Sequence, residues 1–292
     1  MMGNIVIRGT YHVKGREPDG DSVAFIADNA ALWDHFDWSD PKKKPKPGKN
    51  KPLQLRIEAI DALETHYEGY TQPRAIAKSA THQLLTAFGV EALTYSLNFK
   101  KIITANDGAP GIIISKGLDG FDRPVSFALL GEHDIVDGTV LDALTPELVA
   151  ATINYKLAAE GQVYPTFYQG MDEVALDTIS RAVADAVNDK RGIWTFDRSP
   201  GFTFWEPRTI YEDVVILPKL FRRLVGYCDT HDNFNELGAW LKRARDPFTV
   251  ISTGQYFTRL GDLVAVKGRD ISLKFDPLDV LFGPKKQVTP VV

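Results

Sequence analysis

Along residues 53–59 the apolar Leu53, Leu55, Ile57 and Ala59 alternate with Gln54, Arg56 and Glu58, the period of a half-buried β-strand. Strand character also runs over residues 5–13 and 22–27, with the turn EPDGD between them. Residues 72–88 switch to a helical period: Ile76, Ala80, Leu84 and Phe88 recur every fourth position, Thr71 offers a cap, Pro73 sits near the first turn and Gly89 follows the end. Strands are expected at 92–103 and 125–130, separated by a glycine-rich hairpin region. Helices return with Thr145 as N-cap, Pro146 behind it and Gly161 as a stop. A further helix repeats Val174, Ile179, Ala182, Val183 and Ala186 before Gly192. The order strands, helix, strands, helix, helix predicts an α+β fold, for which a five-stranded barrel with helices packed on it is a compact solution.

A composition shift at residues 196–207 puts a boundary near Ser199, giving domains 1–198 and 199–292. The second, smaller part reads as α+β: helices at 217–227 and 235–245, and strands at 249–253, 263–267 and 271–275, the last two joined by a tight GRD hairpin. Phe202, Phe204 and Trp205 at its start would serve as core or as a seat against the barrel or a second subunit.

Composition narrows the setting. The 292 residues are 44% apolar and 25% charged, values of a soluble globular protein. No apolar stretch approaches the roughly 18 residues of a membrane span. The N-terminal residues lack a secretory pattern, and with one cysteine, Cys228, an internal disulfide is excluded, so a cytoplasmic setting is expected. The net charge of −4 argues against nucleic-acid binding over the whole surface. A local exception is the loop inserted at 41–51, with six lysines in eleven residues, Lys42, Lys43 and Lys44 among them. It reads either as a solvated linker or as an electrostatic arm for phosphates.

The charged residues that carry chemistry stand where strands meet turns. Asp19 and Asp21 flank Gly20, Arg56 lies on the alternating strand, Asp61 and Glu64 follow its end, and Arg123 precedes another strand. Singly, each is ordinary turn or surface chemistry; Arg56 and Glu58, for instance, share a face and could pair. Together, two aspartates can hold a hard divalent cation, a glutamate can position a water, and two arginines can grip a phosphate. These are the parts of a phosphodiester hydrolase. The six histidines show no metal-binding spacing, and Cys228 with His231 is expected to be structural or at the surface.

The segments Asp19-Gly20-Asp21-Ser22, Arg56 to Asp61-Ala62-Leu63-Glu64-Thr65, and Phe121-Asp122-Arg123 occur in that order, followed by INYKLAAEG, YPTFY and GIW. This pattern resembles the staphylococcal-nuclease-like (thermonuclease) family over about residues 4–197. The resemblance implies an OB-type barrel and a Ca2+-dependent, or other divalent-cation-dependent, endonuclease hydrolysing DNA and/or RNA. It implies that Asp21, Asp61 and the Ala62 carbonyl hold the cation, Asp19 lies behind them, Glu64 positions or activates water, and Arg56 and Arg123 hold the phosphate. Tyr164 or Tyr168 would contact the nucleotide. Two departures stand out: Ala62-Leu63 replaces the family's Thr-Pro, which predicts less local rigidity, and Asp122 beside Arg123 is expected to compete for it. The slightly acidic chain fits a cytoplasmic nuclease of restrained or directed activity. The alternative is a catalytically weak member of the family that binds nucleic acid or protein as a scaffold. Residues 199–292 lie outside the resemblance and are expected to serve substrate choice, a protein partner or homo-oligomer assembly.

Overall fold

The computed structural model describes residues 3–17, 20–46, 51–96 and 101–284. Strands β1 (Asn4–His12) and β2 (Ala24–Ala27) pair antiparallel. The alternating run follows as β3 (Leu53–Gln54) and β4 (Arg56–Ile57), interrupted only at Leu55. Then come β5 (Ile60–Asp61), α1 (Arg74–Ala87), the small hairpin β6 (Thr94–Tyr95) and β7 (Ile102–Thr104), and the strands β8 (Ala109–Leu118) and β9 (Pro124–Leu130). The sheet order is β3-β2-β1-β8-β9-β4, with β10 (Val140–Leu141) added to β1. Its two end strands are consecutive in the chain, so the six-stranded sheet bends into a nearly closed barrel. Closure removes the exposed edges that open sheets must protect. The N–H groups of Leu55 and Ile57 donate to the carbonyls of Val23 and Asp21 (2.8 and 3.1 Å), while Arg56 and Ile57 pair with β9 on the other side. Arg56 thus sits on the strand that closes the barrel.

Helices α2 (Pro146–Ala150), α3 (Ile153–Ala159) and α4 (Glu173–Asn188) pack beside the barrel, with short strands β11 (Tyr164–Pro165) and β12 (Phe167–Tyr168) between α3 and α4. Asn154 pins α3 in place. Its buried side chain accepts from the Ala128 N–H (3.0 Å) and donates to the carbonyls of Glu58 (2.9 Å) and Ser126 (3.0 Å). The later chain forms β13 (Phe202–Thr203), α5 (Pro218–Cys228), α6 (Leu237–Leu241), β14 (Phe248–Val250), β15 (Tyr256–Phe257), β16 (Val264–Lys267), β17 (Asp270–Leu273) and β18 (Val280–Phe282).

Two apolar clusters hold these parts. The first fills the barrel and the faces of α1, α3 and α4. The second belongs mainly to the later chain, yet it includes Leu63, Ala77, Tyr164 and Ile193. β18 also pairs in parallel with β12. The segment after Ser199 is therefore packed against the earlier part through shared apolar side chains. Phe204 is buried in that cluster, whereas Trp205 is 64% exposed. Among the described residues no helix is long and apolar enough to cross a membrane.

Several expectations shift. The glycine-rich region contains the strand β8, because Gly111 lies where any Cβ would collide with the Tyr11 ring and the Leu129 carbonyl. The expected strand at 92–103 is instead a hairpin whose residues 97–100 lie outside the described set. The helix from Thr145 breaks in two, because the Thr152 hydroxyl caps α3 by accepting from the Tyr155 N–H (3.1 Å). Thr71 does not cap α1; its hydroxyl donates to the carbonyls of Gln72 and Glu64.

Candidate functional site

The alternating strand cannot continue past Ala59, which adopts φ 71°, a conformation that strains a residue with a Cβ. The kink turns the chain off the barrel wall, and Ile60–Asp61 pairs with Tyr164–Pro165. Asp61 is left only 1% exposed, where an isolated carboxylate would be costly.

Its partner comes from α5. Arg222 spans Asp61 with two bonds, Nη2 to Oδ2 at 2.7 Å and Nη1 to Oδ1 at 3.2 Å, and Nη1 also donates to Glu64 Oε1. Burial alone would raise the Asp61 pKa, but the guanidinium of Arg222, aided by Arg56, brings it below the ordinary carboxylate value. A second link joins the same two segments. The fully buried Gln72 accepts from the Glu64 N–H (3.1 Å) and donates to the Ile216 carbonyl (2.7 Å), just before α5.

Arg56 Nη1 lies 3.3 Å from Asp21 Oδ2. Burial disfavours the Arg56 charge, yet the carboxylates of Asp21 and Asp61 outweigh that and raise its pKa above the usual value. The turn bearing Asp21 reaches Ala62 because Gly20 has no side chain: a Cβ there would overlap the Ala62 Cβ. Gly20→Ala is expected to lower stability by about 1–3 kcal/mol, read as a fall in Tm in a calorimetric melt. Asp19 lies outside the described residues.

Arg123 sits in the turn before β9. Its Nε and Nη2 each lie 2.7 Å from Asp119 Oδ2, and its guanidinium is 5.6 Å from the Phe121 ring centre. The competitor for Arg123 is thus Asp119, not Asp122. Asp122 instead accepts from the Ser39 hydroxyl (2.7 Å) and N–H (2.8 Å) and pairs with Lys43 (3.2 Å). The Ser39 hydroxyl bond leads the causes that hold the Asp122 carboxyl down to about 2. Of the other lysines, Lys44 pairs with Asp34, and the Lys42 backbone N–H donates to Asp40. Lys43 and Lys44 are therefore paired with carboxylates of neighbouring turns; residues 47–50 lie outside the described set.

Asp21, Arg56, Ala62, Glu64 and Arg123, read from three separate stretches of sequence, line one cavity of about 950 Å³. Tyr168 lines it too. Tyr164 does not: it is fully buried, with its hydroxyl donating to Asp197 at 2.6 Å. Asp61 is not part of the lining and meets it through Arg222, which is. Cys228 is half-buried, and burial pushes its thiol up to about 11, away from nucleophilic chemistry. Among the described residues no group of three or more His, Cys, Asp or Glu side chains is arranged to hold a metal ion.

No family model matches the chain, and no curated protein matches it. Its chemistry is therefore read from its own geometry.

Among the residues in or behind the wall, Gln72, Lys116, Lys219, Arg222, Arg223 and Glu58 are not singled out by the sequence as site residues, Glu58 being noted only as a partner for Arg56. Lys116 is placed by a register shift in β8 between Ser115 and Gly117, and its Nζ donates to the Gly170 carbonyl. For Arg222 a signal existed. Lys219, Arg222 and Arg223 form a basic stripe at i, i+3, i+4 opposite the apolar Leu220, Phe221, Leu224 and Val225. All three basic residues line the cavity. Glu58 lines it as well, and burial, partly offset by Lys116, pushes its carboxyl from 4.5 up to about 7. The folded chain then holds a proton that the unfolded chain releases, so stability falls as pH rises from about 4.5 through 7. Glu58→Gln is expected to flatten this fall, raising Tm relative to wild type more at pH 8 than at pH 5 in paired thermal melts.

Proposed function

We propose that the protein is a divalent-cation-dependent phosphodiesterase, an endonuclease hydrolysing DNA and/or RNA, built on an OB-type barrel of the staphylococcal-nuclease-like kind. The observation that carries this reading is the convergence of Arg56, Glu64, Arg123 and Asp21 on one cavity. Two guanidinium groups and a carboxylate facing a common space suit a phosphodiester and an attacking water.

The residues fit a hard cation in kind. Asp21, Asp61 and the Ala62 carbonyl offer only oxygen donors, and the close approach of Gly20 to Ala62 brings the two carboxylate-bearing turns together. Ca2+ is the cation this set would hold, and when bound it would supply positive charge to the phosphate oxygens. The chain's own residues do the rest. Arg56, fixed by the barrel and by Asp21, binds one phosphate oxygen. Arg123 binds another after exchanging Asp119 for the substrate. Glu64 holds a water in line with phosphorus and accepts its proton. Tyr168, 39% exposed on the wall, contacts the nucleotide. In the later segment, the basic stripe of α5 extends the same wall and so bears on substrate choice.

The scaffold alternative also has an observation in its favour: Arg222 already engages both Asp61 and Glu64. The test is incubation with single- and double-stranded DNA and RNA, in calcium and in EDTA. Cleavage that EDTA abolishes supports the nuclease; binding without cleavage of any of the four supports the scaffold.

A further inference from the structure

Both carboxylates of the proposed cation site, and the water-positioning Glu64, already face a guanidinium. Asp21 faces Arg56, and Asp61 and Glu64 share Arg222. Arg56 comes from the barrel itself. Arg222 comes from α5, whose partners Asp61 and Glu64 are 161 and 158 residues away in sequence.

Its position is built rather than incidental. Lys219, about one turn before Arg222, and Arg223, the next residue, both bind Asp246, at 3.1 and 3.3 Å. Lys219 also rests 4.5 Å from the Phe282 ring centre. Gln72 ties the Glu64 backbone to Ile216 at the foot of the helix, and Leu63 is buried in the apolar cluster of the later segment. The helix and the acid-bearing loop therefore hold each other in place, with the guanidinium between the two acids.

We infer that Arg222 is an internal counter-ion that competes with the divalent cation for Asp61, while also engaging the water-positioning Glu64, so that the segment after Ser199 sets the cation affinity of the site. This rests on the cation-dependent reading above. Both oxygens of Asp61 already accept from the guanidinium, whereas calcium takes oxygens at about 2.3–2.6 Å. A cation bound there would stand within a few ångströms of a fixed positive charge. At such separations like charges in a partly buried site repel strongly. Cation entry must draw Arg222 off Asp61 or tolerate that repulsion, and either weakens binding. The arrangement also explains the Ala62-Leu63 pair. Leu63 anchors the segment that delivers Arg222, and Ala62 is small enough to admit the Gly20 turn.

The test is calorimetric titration of the full chain with calcium chloride, comparing wild type, Arg222→Gln, Arg222→Lys and the remote control Arg181→Gln. Arg222→Gln is expected to bind calcium at least about tenfold more tightly. Arg222→Lys, which keeps the charge but loses the fork, should stay within about threefold of wild type. Arg181→Gln should match wild type. Unchanged or weaker binding by folded Arg222→Gln overturns the inference, as does the absence of binding by both wild type and Arg222→Gln.

Where Arg222→Gln does not fold, side-chain NMR of the wild type decides. The Arg222 guanidinium signal should move with calcium and saturate with it; a signal unmoved at saturation overturns the inference. Cleavage in the same buffers separates the two readings. Tighter binding by Arg222→Gln with no cleavage by either protein sinks the nuclease and leaves the counter-ion standing.

Discussion

Glu64→Gln should lower the rate of phosphodiester cleavage about 10²–10⁴-fold, the usual contribution of a positioned acid–base group. The amide keeps the shape of the side chain and can still bond a water, but it cannot accept the water's proton. The loop should survive the change. Glu64 is held by its backbone as well as its side chain, through the bonds to Gln72 at 3.1 and 2.9 Å. Arg222 keeps its two bonds to Asp61. The fall should therefore appear in kcat with little change in KM. Single-turnover cleavage with saturating protein, together with a melt showing the fold intact, checks both halves.

Arg56→Gln and Arg123→Gln should each cost about 10²–10³-fold in kcat, or about 2.7–4 kcal/mol, the range for removing one donor from a developing oxyanion. The two should differ in stability. Arg56 is partly buried and balances Asp21, so its loss leaves a buried carboxylate with less compensation and should lower Tm as well. Arg123 sits in an exposed turn that keeps its backbone bond from the Arg123 N–H to Asp119 at 3.0 Å, so its loss should leave Tm nearly unchanged. Rates that fall equally in kcat and kcat/KM would mark interactions made only in the transition state. Initial rates over a substrate series, set beside melting curves, separate the two variants.

The residues legible in the sequence were those whose geometry is local. Arg56 sits on an alternating strand whose period orients it, and Asp61 and Glu64 follow its end at short spacing, although the kink at Ala59 breaks the period before them. Arg123 was legible from the turn that precedes β9. Arg222 was not, because amphipathic spacing gives the face of a helix but not the partner that face meets across more than 150 residues. Gln72 escaped for the same reason: nothing in its neighbours tells that its amide spans from Glu64 to Ile216. β8 is hidden in the sequence because Pro110, Gly111 and Gly117 look like turn residues, and only the packing of Tyr11 against Gly111 gives that glycine its reason. Tyr164 and Tyr168 looked equivalent in one short segment. The kink at Ala59 and the pairing with β5 bury the first and leave the second on the wall.

The position of Leu63 bears on one expectation. In the sequence, Ala62-Leu63 read as a loss of rigidity between two acids. In the fold, Leu63 is fully buried against the later segment, so the loop gains an anchor where it lacks a proline. The segment after Ser199 thereby meets the cavity through the buried Leu63, the Gln72–Ile216 bond and the basic side chains of α5.

The most direct measurement is the cleavage rate of one nucleic-acid substrate by the purified full chain in calcium, set against the same chain in EDTA and against Glu64→Gln in calcium. Robust cleavage by the first, and a loss of about 100-fold or more in both comparisons, is the expected result. Cleavage that persists unchanged in EDTA and in Glu64→Gln, or no cleavage of any DNA or RNA by the wild type, would contradict it.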